Sequence, residues 1–375
     1  MELDCDFLVI GAGIAGAAAA FELAAHGKVA MLETESRPGY HSTGRSAALY
    51  TRHYGGPTVR KLTAAALPFF TDPPPGFAEH PLLSLRGCLT IGSAEQRPAI
   101  DELLALGDSN SSIVELSPQE ALKRAPHLRP GAFAYAAYEE ATFDMDVAAI
   151  HQGFLRGLKA RGGQVICDAP VQRLERIGRA WHGASDQTLV RAPVVVNAAG
   201  AWADAIAGLA GARPVGLVPK RRTAIQIDLP PGTDTGTWPA VDEAGHGCYC
   251  KPETGRVMAS PGDATPSEPC DAQPDEYDVA VIAEWLERMT TIPVKRINHK
   301  WAGLRNFVAD EAPVAGFDDK VPGFFWLCGQ GGYGIMLAPV LGRATAHIIQ
   351  HGSLPGDLAD RGLTLGELTP ERLRR

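Results

Sequence analysis

The stretch PKRRTAIQI, residues 219–227, sets three cations, Lys220, Arg221 and Arg222, at the mouth of an apolar run in a chain whose net charge is −8. A guanidinium is a planar fork that binds a carboxylate through paired hydrogen bonds, so the triplet is either an anion receptor or a solvated turn. Side chains alternate along a strand, which puts Lys220 and Arg222 on one face and Arg221 on the other with Ile225 and Ile227. Isoleucines favour a core, so Arg222 is expected on the small, polar face with Ala224 and Gln226, the face able to line a cleft.

A second constellation opens the chain. Gly11, Gly13 and Gly16 fill G-x-G-x-x-G between an apolar run at 5–10 and an alanine-rich helical pattern that ends at Gly27. The first glycine turns the chain tightly, the second lets a pyrophosphate approach the backbone, and the third lets helix and strand pack closely. The helix N-terminus then offers free N–H groups to the phosphates. A further apolar run, 28–32, stops at Glu33, about 20 residues on, where a carboxylate can accept hydrogen bonds from ribose hydroxyls. Strand, turn, helix and strand in this order make a βαβ dinucleotide-binding unit, with contacts expected from Gly11, Gly13, Ile14, Ala15, Gly16, Leu32 and Glu33.

Other chemistries leave no pattern. The chain has no Ser/His/Asp or Cys/His arrangement and no H-E-x-x-H spacing. Its seven cysteines are odd in number and form no C-x-x-C pair, which suits reduced thiols and offers no zinc site. The negative balance argues against nucleic acid as a partner. No uninterrupted apolar stretch is long enough for an integral membrane segment, and the acidic start MELDCDFLVI is unlike a secretory signal, so a cytoplasmic location is expected.

At 375 residues the chain has room for two domains. The segment PGYHSTGRSAALYTRHYGG (38–56) has neither strand nor helix period, and a loop of that length is expected to be functional. Helical patterns follow around 58–70, 98–107 and 117–124. Short apolar strands return in 168–177 and 192–211, the second running into a glycine and a helix. From 214 to 300, strands alternate with prolines, and 323–350 reads as strand, glycine-rich turn and helix. The expected architecture is α/β: a discontinuous Rossmann-like domain (1–80, 141–213 and 301–375) with an inserted α+β, antiparallel-sheet substrate domain (81–140 and 214–300).

PGYHSTGRSAA, NAAGAWADAIAGLAG, PKRR, WAGLR and QGGYGI occur in this order, and with the βαβ unit they resemble the D-amino-acid-oxidase-like superfamily of FAD enzymes, most closely its bacterial D-arginine and D-amino acid dehydrogenases. The resemblance implies FAD as cofactor, contacted by His41, Ser42, Thr43, Gly44, Arg45, Ser46, Ala47 and Ala48, by Val171 near the adenine, and by Gly331, Gly332, Tyr333, Gly334, Ile335 and Met336 along the pyrimidine edge. A helix N-terminus there suits the negative charge a reduced flavin gathers. It implies non-covalent binding, although related sarcosine dehydrogenases attach flavin through a His in a similar loop, which makes His41, and after it Cys328, the covalent alternative.

For the substrate, the resemblance implies an amino acid whose carboxylate is clamped by Arg222, Arg305, Tyr249 and Tyr54 and whose Cα delivers hydride to flavin N5. The product is an imino acid, hydrolysed to a 2-oxo acid and ammonia. Leu49, Thr51, Cys88, Gly332 and Met336 are implied around the side chain. Arginine-specific relatives carry a Glu where PLLSLRGCLTI has Cys88, a His at Leu49 and a polar residue at Met336. A thiol cannot pair with a guanidinium, so an apolar or medium D-amino acid is expected rather than D-arginine. His246 is a further candidate for the pocket rim. The electron acceptor is left open among a quinone, a carrier and O2. The alternatives are a secondary-amine (glycine-, sarcosine- or proline-type) oxidase or 2-hydroxy acid dehydrogenase of the same fold, and, in another class, a non-catalytic FAD-binding subunit or redox sensor.

Overall fold

The computed structural model describes residues 1–108, 111–245 and 247–374. Phe7–Ile10 and Val29–Leu32 are buried at every position, because a parallel strand covered on both faces has no polar side. They lie at the centre of a sheet ordered Gln164–Ile166, Val29–Leu32, Phe7–Ile10, Val194–Asn197, Phe324–Cys328 and Val314–Phe317, parallel except at the last strand. Helices Ile14–Leu23 and Gly334–His351 pack on each other over one face. The first helix stops at Leu23, short of the expected Gly27. There Ala25 and His26 donate to carbonyls three residues back, and the tightened turn leads into Asp6, whose carboxylate receives the Lys28 amide at 2.7 Å.

A nine-stranded sheet among the described residues forms the second layer: Thr265–Pro266, Val218–Asp228, Arg256–Ser260, Tyr249–Glu253, Ala240–Glu243, Cys88–Gly92, Tyr135–Glu139 and Ile113–Leu116, with His299–Phe307 also paired to Val218–Asp228. Helix Glu276–Met289 covers its apolar face through Ile282, Trp285 and Leu286. His299–Phe307 pairs along its whole length with this sheet, so the expected boundary at 300/301 falls inside a strand. At the other junction Leu83–Leu85 pairs with Phe143–Met145, which also receives Leu49–Tyr50, and the boundary near 81 thus leads first into a small connecting sheet. Among the described residues no helix is long and apolar enough to cross a membrane.

Candidate active site

Both layers line one cavity of about 740 Å³, of the size that takes large ligands. The glycine turn stands at one end. Gly11 has φ +99°, and a Cβ there would lie 2.5 Å from the Ala198 carbonyl oxygen, so only glycine fits the turn. Glu33 fixes the turn from the next strand: Oε2 accepts from the Ala12 amide at 2.7 Å and Oε1 from the Glu35 amide at 3.0 Å. Thr43 Oγ1 accepts from the Ile14 amide at 3.0 Å, so the 38–56 loop caps the first helix. Ile14, Ala15, Leu32, Val171, Ser46, Ala47 and Ala48 also line the cavity.

Three expected cofactor residues do not. Gly16 lies under the turn, where a Cβ would come within 2.0 Å of the Gly11 carbonyl oxygen, so its smallness serves helix–strand packing. Gly44 closes the loop on itself, its amide donating to the Gly39 carbonyl at 2.8 Å. Tyr333 is buried against Tyr54, with ring centroids 5.0 Å apart, behind the wall. Other expected residues touch the cavity but spend their polar groups elsewhere. Ser42 donates to the Leu304 carbonyl at 2.6 Å, and the Arg45 guanidinium reaches the carbonyls of Ala272 and Ala302 and the Asp271 carboxylate, latching the loop to the second layer. His41 pairs with Glu35 at 2.9 Å and packs on Trp202. Cys328 lines the cavity, and burial pushes its thiol far above the ordinary range.

At the opposite end Arg305, Arg222, Tyr249 and Tyr54 line the same space. Arg305 Nη1 donates to the Tyr54 hydroxyl at 3.1 Å, and a Cβ on Gly332 would stand 3.1 Å from its Cζ. Arg222 shares its face with Ala224; its Nε donates to the Asp263 carbonyl at 2.6 Å, and its Cζ lies 6.0 Å from the centre of the Tyr249 ring. Burial alone raises the Tyr249 phenol, but the charges of Arg305 and Arg222 outweigh it, and the phenol titrates below its usual range. The neighbouring cations face elsewhere. Arg221 pairs with Asp278 at 3.0 Å and Asp275 at 3.3 Å at the start of helix Glu276–Met289, and Lys220 pairs with Glu311 at 3.3 Å.

Leu49, Thr51, Cys88, Gly332 and Met336 stand on the wall between these ends. Burial drives the Cys88 thiol well up. Leu49, Cys88 and Met336 make this wall more apolar, and Asp242 lines the cavity with them. His246 lies outside the described residues.

An FAD needs a glycine turn for its pyrophosphate, an acid for its ribose and hydrogen-bonding groups for its flavin edge. The first two are present, and two buried atoms answer the third: Asn306 Oδ1 and Gln330 Nε2, on cavity-lining residues, have no hydrogen-bond partner among the described residues. The donor set fits. Asn306 and Gln330 belong to the stretches WAGLRNF and CGQGGYGI, next to residues the sequence singles out, yet composition gives an amide no special mark. Asp242 had no local signal at all.

The sequence model of a family described as FAD dependent oxidoreductase (DAO) matches residues 6–348. The mouse FAD-dependent oxidoreductase domain-containing protein 1 is 25% identical over 403 residues, covering 92% of this chain and 81% of that one. Human mitochondrial sarcosine dehydrogenase is 26% identical over 294 residues, covering 72% of this chain but 31% of that much longer protein. Among solved structures, glycine oxidase from Geobacillus kaustophilus superposes with a TM-score of 0.80 at 19% identity, covering 93% of this chain and 95% of that one.

Proposed function

Given that the chain belongs to the DAO family of FAD-dependent oxidoreductases, we propose that it oxidises D-amino acids at Cα, forming imino acids that water hydrolyses to 2-oxo acids and ammonia. The observation that carries this reading is that Arg305, Arg222, Tyr249 and Tyr54 line the same cavity as the glycine turn, with Arg305 hydrogen-bonded to Tyr54. Two guanidiniums and two phenols lining one cavity form a receptor for a carboxylate, and an FAD-binding subunit without catalysis has no use for one. The D configuration rests on the resemblance of PGYHSTGRSAA, PKRR, WAGLR and QGGYGI to D-amino acid dehydrogenases.

In this reading the clamp fixes the substrate carboxylate from two directions, which orients the Cα–H bond. FAD, when bound, supplies the two-electron acceptor for the hydride leaving Cα. Glu33 and the Gly11–Ile14 turn are the groups that would hold the nucleotide part of that cofactor, and Asn306 and Gln330 would offer hydrogen bonds to its ring. Tyr54 and Tyr249 present hydroxyls where a water can take the proton shed by the substrate amine.

Anaerobic mixing of the yellow protein with D- and L-amino acids, glycine, sarcosine and 2-hydroxy acids, followed by the loss of visible absorption, tests the proposal. Rapid bleaching by D-amino acids, lost in Arg305→Met, is the expected result. Bleaching by L-isomers, by sarcosine or by hydroxy acids alone would redirect the reaction class, and a spectrum unchanged by every compound would point to a non-catalytic flavin protein.

A further inference from the structure

Resting on the amino-acid reading above, we propose that Asp242 selects the substrate side chain by accepting a hydrogen bond from an N–H donor at its end, as carried by an ammonium, guanidinium or amide group. Asp242 stands on strand Ala240–Glu243, directly opposite Tyr249 of the clamp and beside Thr90. All three share the sheet face that the cavity opens on. Neighbouring strands lie about 4.8 Å apart, so a side chain of a few carbons, leaving a carboxylate held near Tyr249, spans the gap to Asp242.

The carboxylate is half used: Oδ1 accepts from Thr90 Oγ1 at 2.7 Å and, weakly, from Cys88 Sγ at 3.6 Å, while no side chain among the described residues donates to Oδ2. None of those residues offers it a cation. Burial, with the nearby Glu139 charge, raises its pKa despite the bonds from Thr90 and Cys88. A carboxylate walled in by protein with no counter-charge is costly, and an incoming N–H donor or cation relieves that cost.

The other acids nearby are committed elsewhere. Glu139, opposite Cys88, is buried behind the wall with Thr51 Oγ1 at 2.8 Å and His53 Nδ1 at 2.9 Å. Glu243 also borders the cavity, but its Oε2 accepts from the Trp285 indole at 3.0 Å. The counter-charge missing at position 88 therefore stands one strand away, on the same face. Leu49, Cys88 and Met336 then suit the apolar stem of a side chain and Asp242 its polar end, which narrows the expected apolar or medium side chain to one with a polar tip.

Two carboxylates without an α-amine, which cannot be oxidised there, separate binding from chemistry: 6-aminohexanoate and heptanoate, nearly equal in length. Their affinities are measured calorimetrically on the FAD-loaded protein, on Asp242→Val and on Asp242→Asn, which keeps an acceptor for Thr90. The wild type is expected to favour 6-aminohexanoate by about ten-fold or more, the scale of a charge-assisted hydrogen bond. Asp242→Asn loses most of that preference and Asp242→Val reverses it. Equal affinity of the wild type for both ligands, or an equal loss of both in each variant, would overturn the selector role and leave Asp242 as a fastener of Thr90. Those outcomes leave the clamp intact. Binding of neither carboxylate by the wild type would instead remove the clamp, and the selector with it.

Discussion

Arg305 and Tyr54 meet at 3.1 Å, guanidinium to phenol hydroxyl, although 251 residues separate them. The contact joins the far edge of the nine-stranded sheet to the end of the loop that caps the first helix. One hydrogen bond therefore couples the Arg305 side of the cavity to the segment that also caps the first helix. With Tyr54 held on one side and Gly332 backing it on another, the Arg305 fork has little freedom to turn away from a ligand.

Arg305→Met and Arg222→Met each weaken binding of a simple carboxylate such as heptanoate by roughly 10- to 100-fold, the range for a charge-assisted hydrogen bond. Because both hold the same group, the double variant loses less than the product of the two. A calorimetric titration of all three variants checks this, and fully multiplicative losses would mean that the two arginines bind different groups.

Arg305 and Arg222 depress the Tyr249 phenol below its ordinary value of 10.0, against the opposing effect of burial. The folded protein releases this proton at a pH where the unfolded chain keeps it, so stability rises with pH between the depressed value and about 10. It falls again as pH drops through the folded pKa. An ultraviolet titration of phenolate is expected to contain one early component, absent in Tyr249→Phe. A carboxylate ligand neutralises the arginines and moves that component to higher pH. An early component that ignores the ligand would separate Tyr249 from the clamp.

Gly16→Ala places a methyl group 2.0 Å from the Gly11 carbonyl oxygen. Backbone has to move, at a cost of about 3 kcal/mol or more, and the glycine turn moves with it. The variant is expected to purify with little flavin and a lowered Tm. Normal flavin content would mean that the first helix can lift away from the turn without deforming it.

His127, stacked on Trp238 at 4.2 Å, is buried, and burial lowers its pKa from 6.5 to about 4. Between those values the unfolded chain binds a proton that the folded protein refuses. Stability therefore declines as pH falls from 6.5 towards 4, by about 3 kcal/mol in total. His127→Phe keeps the stacking and removes the proton. Denaturant midpoints at neutral and mildly acidic pH should differ less in the variant than in the wild type, and identical pH slopes would show that His127 is protonated at no cost.

How far the sequence alone reaches is clearest at the two ends of the cavity. At the cofactor end the signal is local: glycines at fixed spacing between a strand and a helix leave the backbone few other shapes, and Gly11 and Glu33 stand where that unit demands. Parity along PKRRTAIQI likewise separates Arg222 from Arg221, because alternation is intrinsic to an extended chain. Arg45 marks the limit. Its position in the loop is plain from the sequence, but its guanidinium turns to Ala272, Ala302 and Asp271, partners more than 220 residues away.

The sequence by itself determined the βαβ unit and, along PKRRTAIQI, which face each residue takes, since both follow from short-range backbone geometry and hydrophobic period; it did not mark helices Val147–Ala160 and Glu276–Met289. Only the tertiary structure decided which strands lie side by side. That choice brings Arg305 to Tyr54, sets Asp242 opposite Tyr249 and next to Cys88, and carries His299–Phe307 into the second layer. Strand pairing is fixed by the packing of whole sheets and by contacts distant along the chain, so no local pattern around Asp242 could reveal that it lines the cavity.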